Sequence, residues 1–481
     1  MAGVSKEPET FFRLSPVARS EALCFGVARG EITGRFDVNF WRLTPLFHER
    51  FSKPLFPAVA LGQCVELVQY GCSALATSVP VGVRMLRMNN LQNDGWDLSE
   101  LKYIEMGEED LDRYRLESGE LLFNRTNSKE LVGKCEVFAE PGDWVFASYL
   151  IRVRLDTARV LPQFASDFLN TRAGRLQIDR FSRQIIGMTN INAEELKEIL
   201  IPVPRDVEKQ RKLVGEMDAA RATRRAKLTE ADALLAGLDG FVLAALGMVS
   251  SPKPKTVFAI RNRQVTTWLN AERYCGMQLE THLPFESCVE QVGTILDARC
   301  SPEKEDAAAE WDWIRIDDLS SRPWQVESVR TQLGANIAGT FFEVQENDIL
   351  LARLGPTILN AKFVLCPKLK RRTVASAEFI VIRCGAGWNP AAVLWLLRTQ
   401  LYRDIMYKRS RGATPSRFRL DGRDLASIPF PNMKPAVQER IAAEARRRRE
   451  SARRLRAEAE ADWQAAKRWF EAQLLGAPPV K

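Results

Sequence analysis

The chain has 481 residues, 46% of them hydrophobic and 27% charged, with 69 Lys+Arg against 61 Asp+Glu and a net charge of +8. That length suits two to four domains, each able to bury a core without disulfides or metals, and excludes a single small module. No apolar run approaches the ~18 residues that span a bilayer, which excludes a membrane-spanning helix, and the segment around Lys6, Glu7 and Phe11 lacks the layout of a secretory signal.

In chain order, the first signals are short β-like segments at 79–87, 120–124, 134–138 and 145–155. A helical stretch follows at 162–181, entered through Pro162, then a polar loop containing Gly187 and the strand Ile201-Pro202-Val203-Pro204. A helix without internal proline then occupies 208–246, its apolar positions Leu228, Ala231, Leu235, Leu238, Val242 and Ala245 stepping by three and four. A Ser/Pro-rich linker at 250–255 closes this half. The second half repeats the order: β-like segments at 311–316, 349–353, 362–366 and 379–383, a helix at 390–407 and the strand Ile428-Pro429-Phe430-Pro431. It ends in a long helix at 437–475 with Ala452, Leu455, Ala459, Trp463, Ala466 and Phe470 along one side.

Four collinear matches carry this repeat: Cys64-Val65-Glu66 with Cys288-Val289-Glu290, 120–125 with 348–353, 201–204 with 428–431, and Leu246-Gly247 with Leu475-Gly476. Mixed strands and helices without βαβ alternation predict an α+β fold. The expected bounds are a first domain at 1–207, a helix at 208–247, a linker at 248–262, a second domain at 263–434, a helix at 435–476 and a tail at 477–481. Each long helix of ~40 residues would extend ~60 Å, so the two are expected to pair as an antiparallel coiled coil rather than lie on their own domains.

Nine cysteines without CxxC spacing suit reduced thiols in a cytoplasm, and two isolated histidines, His48 and His282, give no basis for expecting a metal site. The phosphate-loop, dinucleotide-binding, nucleophile-elbow and HExxH patterns are all missing, and Asn389-Pro390 reads as a helix start. These features favour binding over catalysis.

The positive charge is local: residues 401–481 hold 19 Lys+Arg and 10 Asp+Glu, leaving the other 400 residues near neutral. One part is the helix end and loop with Arg403, Lys408, Arg409, Arg411, Arg417, Arg419 and Arg423 beside Tyr402, Tyr407 and Phe418. The first half carries Arg172, Arg175, Arg180 and Arg183 at the matching place. Arginines with aromatics around a flexible Gly187 or Gly412 suit phosphate and base-edge contacts on double-stranded DNA. The run 446–449 on the second long helix reads equally as a solvated face or as a DNA contact.

The stretch 118–128, with Glu120-Leu121-Leu122-Phe123-Asn124-Arg125-Thr126-Asn127-Ser128, continues through Gly133-Lys134 and resembles the hallmark segment of type I restriction-modification specificity subunits. On its residues alone, 124–128 is either a polar turn capping the next element or a DNA contact. The resemblance covers nearly the whole chain, including the strand-to-helix link at Lys209-Gln210-Arg211 and Gln438-Glu439-Arg440 and the loop Gly412-Ala413-Thr414-Pro415. The second copy departs from the pattern at Asn347 and at Leu354-Gly355-Pro356, which follows Arg353. The resemblance implies two target-recognition domains reading a bipartite DNA site, a helical spacer, and no catalytic residues or cofactor in this chain. It further implies methylation subunits using S-adenosylmethionine and restriction/translocase subunits using ATP and magnesium. Alternatives from other classes are a related phage-defence assembly, a tandem protein-interaction scaffold and an autonomous enzyme.

Overall fold

The computed structural model describes residues 26–27, 32, 35, 37–92, 95–128, 131–185, 188–248, 283, 285, 287–320 and 324–476. Most of the expected linker, the first twenty residues of the expected second domain, His282 and the tail lie outside the described residues. The chain divides into two compact units, Met1–Ala226 with Glu458–Lys481, and Lys227–Ala457.

In chain order the first unit contains α1 (Val38–Arg50), β1 (Ala58–Ala60), β2 (Val65–Tyr70), β3 (Val83–Leu86), β4 (Lys102–Ile104), α2 (Glu108–Tyr114), β5 (Leu121–Asn124), β6 (Thr126–Asn127), β7 (Cys135–Val137), β8 (Trp144–Phe146) and β9 (Leu150–Leu155). Then come α3 (Pro162–Leu169), α4 (Arg172–Phe181), β10 (Arg183–Ile185), β11 (Met188–Asn190), α5 (Ala193–Lys197), β12 (Leu200–Pro202) and the long α6 (Val207–Ala236), which enters the second unit. There follow α7 (Leu238–Ala245), β13 (Gly293–Ile295), α8 (Pro302–Glu305), β14 (Glu310–Ile314), β15 (Arg330–Leu333), β16 (Phe342–Val344), β17 (Ile349–Ala352), α9 (Gly355–Leu359), β18 (Phe363–Leu365), β19 (Thr373–Ala375) and β20 (Phe379–Cys384). The chain continues as α10 (Pro390–Arg398), α11 (Gln400–Arg409), α12 (Gly422–Ala426) and α13 (Pro435–Leu475), whose last part belongs to the first unit.

Each unit is an α+β assembly around the same antiparallel sheet, ordered β2-β9-β5-β7 in the first and β13-β20-β17-β18 in the second. Their central strands are buried on both faces, which explains their near-continuous apolar sequence. Leu121 and Phe123 face a core shared with α3 and α4, while Leu122 and Leu150 face a second core with Leu86 and Phe146. Ile349 and Leu351 match the former and Leu350 and Val381 the latter. A parallel pair lies beside each sheet, β3 with β8 and β14 with β19.

Glu120 and Asp348, each at most 2% exposed, are also equivalent. Glu120 accepts from Arg154 at 2.7 Å and from the Glu117 N–H at 2.9 Å, and Asp348 from Arg383 at 2.7 Å and the Gln345 N–H at 2.9 Å. The acidic residue of the repeated motif is therefore a buried clamp, satisfied as a buried carboxylate must be.

Several expected elements are subdivided. The segment 145–155 is part of two strands, with a turn at 148–149. The helix at 162–181 breaks at Asn170-Thr171, where Thr171 caps α4 by accepting from the Gly174 N–H, and 390–407 breaks likewise at Thr399. The first long helix is interrupted at Gly237, the poorest helix former apart from proline, whereas α13 is continuous over 41 residues.

The repeat register also needs correction at two places. Cys288 bridges Pro429 just as Ala58 pairs with Pro202, so Cys64 and Cys288 are not equivalent and their shared tripeptide is coincidental. Gln210 corresponds to Gln438, not to Glu439. Gln210 accepts from the Leu161 N–H and donates to Arg159 and Pro204 oxygens, while Gln438 accepts from the Asn389 N–H and donates to Gly387 and Met433 oxygens.

Within each unit the long helices run antiparallel. In the first, Arg221 sits over Trp463 at 5.5 Å and Arg224 pairs with Glu460 at 3.4 Å. In the second, Arg456 bonds Asp232 at 2.6 Å, Arg448 lies over Phe241, and Arg440 donates to the Ala245 oxygen. Of the expected seam, Ala231, Leu235, Leu238, Val242, Ala452, Ala459, Trp463 and Phe470 are buried, whereas Leu228 and Leu455 are only half-buried. Trp463 and Phe470 also join the first unit's own core, with Phe470 tilted against Phe164 at 5.5 Å. The helices therefore both pair and dock on the domains.

Candidate nucleic-acid interface

The loop after α4 and its counterpart after α11 begin alike. Buried Ser182 and Ser410 cap the helix ends by donating to the Ile178 and Met406 oxygens, and the next residue is Arg183 or Arg411. The loop then doubles back onto the segment following the motif strand. Arg183 pairs with Asn190 and Asn190 with Thr126, while Arg411 bridges Arg419 and Arg419 bridges Leu354. Two features read separately in sequence, the arginine loop and the motif loop, thus meet in both units.

A short helix follows each loop and supplies a carboxylate. Asn192 caps α5 in a reciprocal box with Glu195, and Asp421 caps α12. Glu195 Oε1 lies 2.8 Å from Arg183, and Asp424 accepts both its bonds from Arg411 at 2.8 Å. The arginines are about half exposed, at 54% and 51%, whereas Glu195 and Asp424 are largely covered. Such a pair contributes only ~0–1 kcal/mol at a surface. At Arg411 its hydrogen bonds fix the guanidinium's direction and leave further N–H donors for a ligand. At Arg183 the pair is an ion pair without a hydrogen bond, its carboxylate shared with Arg35 at 3.2 Å.

The other expected DNA-contact residues divide. Arg172 and Arg417 are exposed, Lys408 is half-buried, and exposed Arg419 is held by Glu378 through two 3.2 Å bonds. Arg175, Arg180, Arg403 and Arg409 are instead committed within the fold. Arg180 lies over Phe40 at 3.9 Å and Phe47 at 4.6 Å and donates to Thr44 Oγ1; burial pulls its pKa down to about 10. Arg175 packs beside Gly133, and burial lowers its pKa. Arg403 donates to the Leu359 oxygen at 2.6 Å, and Arg409 fastens the end of α12 through the Asp424 oxygen and Ser427 Oγ. Their long apolar stems and aromatic contacts suit this interior role.

The motif loop is partly structural. Asn124 is 1% exposed and closes the turn by donating to the Leu131 oxygen, while Gly133 has φ +82° and a Cβ there would meet Ile178 at 2.6 Å, so glycine is required. Lys134 beside it is half-buried, and burial followed by Arg175 lowers its pKa. Asn124 thus lies inside the turn, and the main-chain oxygen of Ser128 receives the Leu131 and Val132 N–H groups. Thr126 and Asn127 form β6 against the loop. Arg125 stacks on Tyr70 at 4.9 Å and reaches the Ser148 oxygen, and its counterpart Arg353 lines a cleft of ≈ 840 Å³ in the second unit. That cleft gathers Arg299, Arg353, Arg411, Arg419 and Arg423 with the carboxylates Asp297, Asp421 and Asp424. Arg299 stands over Phe342 at 3.6 Å, and burial followed by Arg353 depresses its pKa. In the second copy Leu354 leads into α9 where the first has β6, so the two loops differ beyond the shared bridge.

Arg299 and the carboxylates Glu195, Glu378 and Asp424 were not among the residues picked from sequence. The similar spacing of Arg183 to Glu195 and Arg411 to Asp424 was the available signal. Among the described residues no group of three or more His, Cys, Asp or Glu side chains could hold a metal, and no helix is long and apolar enough to cross a membrane.

No family model matches the chain. It is similar to the type I restriction enzyme EcoKI specificity subunit of Escherichia coli, 25% identical over 201 residues, or 41% of each chain. A second relative, the MjaX protein of Methanocaldococcus jannaschii, is named for the same role and is 24% identical over 146 residues, 30% of this chain and 34% of its own. The matched region thus spans less than half the length of these curated relatives. Among solved structures, the S subunit of a type I restriction-modification system from M. genitalium aligns over 88% of this chain and 96% of its own at 11% identity and TM-score 0.38. The HsdS subunit from Thermoanaerobacter tengcongensis aligns over 88% and 97% at 12% identity and TM-score 0.33.

Proposed function

We propose that this chain is the DNA-specificity subunit of a type I restriction-modification complex, each unit reading one half of a bipartite site in double-stranded DNA. The observation that carries the reading is the repeated arginine–carboxylate pair, Arg183 with Glu195 and Arg411 with Asp424, placed beside the motif loop in both units. A guanidinium aimed by a carboxylate has its fork preset for a guanine edge, while Arg172 and Arg417 supply phosphate contacts. The paired helices serve as the spacer between half-sites and as the platform for methylation subunits. In this reading the chain is cytoplasmic and contributes no catalytic group; S-adenosylmethionine, ATP and magnesium act in the methylation and restriction/translocase subunits.

Charge reversal tests it. In the complex with methylation subunits, Arg183→Glu and Arg411→Glu should each weaken binding to the methylated motif about 10- to 100-fold, the loss of one good base contact, with assembly intact. Loss of assembly with unchanged DNA affinity would instead support a protein-interaction scaffold.

A further inference from the structure

Apart from the arginine loops, the second unit holds a cavity of ≈ 310 Å³ lined by Trp324, Trp395, Arg398, Arg403, Asp239 and Leu359. This exceeds the ~30 Å³ share of one water many times over. Arg398 is only 3% exposed. Its Nη1 donates to the Phe363 oxygen at 2.7 Å, but its Nε and Nη2 have no hydrogen-bond partner among the described residues. The guanidinium stacks on Trp324 at 3.9 Å and Trp395 at 4.8 Å, which compensates its charge only in part.

Among the described residues, the one carboxylate lining the cavity, that of Asp239, is engaged elsewhere. It accepts from the Gln400 N–H at 2.9 Å and lies 3.8 Å from Arg403, so it offsets the Arg398 charge only in part and makes no hydrogen bond to it. Arginine does not shed its proton in a protein, and a buried cation without a counter-charge is costly. Burial, then Arg449 and Arg403, push the Arg398 pKa well down, the direction expected of a cation lacking an anion.

The first unit shows that the fold does not require this charge. Asn170 takes the equivalent place, donating to the Cys135 oxygen at 2.9 Å, and the next residue in both copies is a threonine bonded three residues back. A neutral amide serves there, whereas the second copy has a buried cation in the wall of a cavity, with two donors unpaired among the described residues.

We propose that this cavity binds a small oxyanion, a phosphate group, held by Nε and Nη2 of Arg398 with Arg403 beside it. The group can come from free phosphate or from a nucleotide. Bound there, it would tie α10 and α11 to α7, the helix that carries Asp239.

Equilibrium dialysis of the full-length chain against radiolabelled inorganic phosphate, with ADP in a parallel cell, tests this without DNA. One saturable site is expected, with a dissociation constant on the order of 1 mM or tighter. Arg398→Asn, the side chain found in the other copy, should weaken it at least ~10-fold. Arg411→Glu should leave it unchanged. Asp239→Asn, which keeps the bond to Gln400 while removing a competing charge, should tighten it. Saturation by phosphate identifies the free anion as the source, and saturation by ADP alone identifies the nucleotide. Absence of saturable binding by either, equal binding in a folded Arg398→Asn chain, or an unchanged affinity in Asp239→Asn would overturn the proposal.

Discussion

Replacing Gln210 or Gln438 with methionine keeps the length and approximate shape of the side chain but removes three hydrogen bonds from a buried site. Gln210 is fully buried; it satisfies the Leu161 N–H at 2.9 Å and the Arg159 and Pro204 oxygens at 2.8 and 2.9 Å. Gln438, 3% exposed, does the same for the Asn389 N–H and for the Gly387 and Met433 oxygens at 3.1 and 2.8 Å. Each glutamine thereby ties the first turn of a long helix to the loop that enters α3 or α10. With about 1 kcal/mol for each bond lost, and the Pro204 or Met433 oxygen left buried without a donor, each substitution should cost ~2–3 kcal/mol. Glutamate should be worse than methionine, because its carboxylate would face two carbonyl oxygens that need donors. Urea unfolding of the full chain, followed by hydrogen exchange at the loops 159–161 and 387–389, measures the loss and its location. A cost below ~1 kcal/mol for both methionine variants, with protection unchanged, would refute the clamp role.

Arg180→Ala should lower stability by ~1–2 kcal/mol through its lost aromatic stack, yet leave DNA affinity within about twofold; a large binding defect at unchanged stability would return it to the DNA surface. Along the helix pair, Leu235→Ala should cost ~2–5 kcal/mol and half-buried Leu228→Ala clearly less, and a reversed order in thermal or urea melts would contradict the seam. Burial raises the Cys135 thiol far above its ordinary value and pushes Cys366 up to about 12, so at pH 8 both remain protonated and covered. Iodoacetamide labelling with peptide mapping should find both protected in the native chain and modified only after denaturation; native-rate labelling of either would refute this.

The repeat was legible because strands buried on two faces spell nearly continuous apolar strings, so Leu121-Leu122-Phe123 and Ile349-Leu350-Leu351 stand out at the same interval. The proline-containing strands and long helices were legible for similarly local reasons. Three-residue identity was not sufficient: Cys64 lies beside β2 and Cys288 at a different bridge, and only pairing distinguishes them. The helix break at Asn170-Thr171 had a signal, since Thr171 caps α4, but the apolar period carried across it and across Thr399, whose hydroxyl bonds back to Leu396 and caps nothing. Arginine roles were the least legible. Arg180 and Arg183 are three residues apart, yet one lies among Phe40 and Phe47 and the other is directed outward by Glu195, partners set by tertiary packing. Arg398 sits in an apolar helix where composition alone does not reveal a buried cation.

The most direct test of the central claim is long-read sequencing of host DNA with the gene intact, deleted, and carrying Arg411→Glu. The account predicts a methylated, asymmetric, bipartite motif that vanishes on deletion and whose methylation falls, or whose one half-site relaxes, in the variant. A methylome unchanged by deletion of the gene would contradict it.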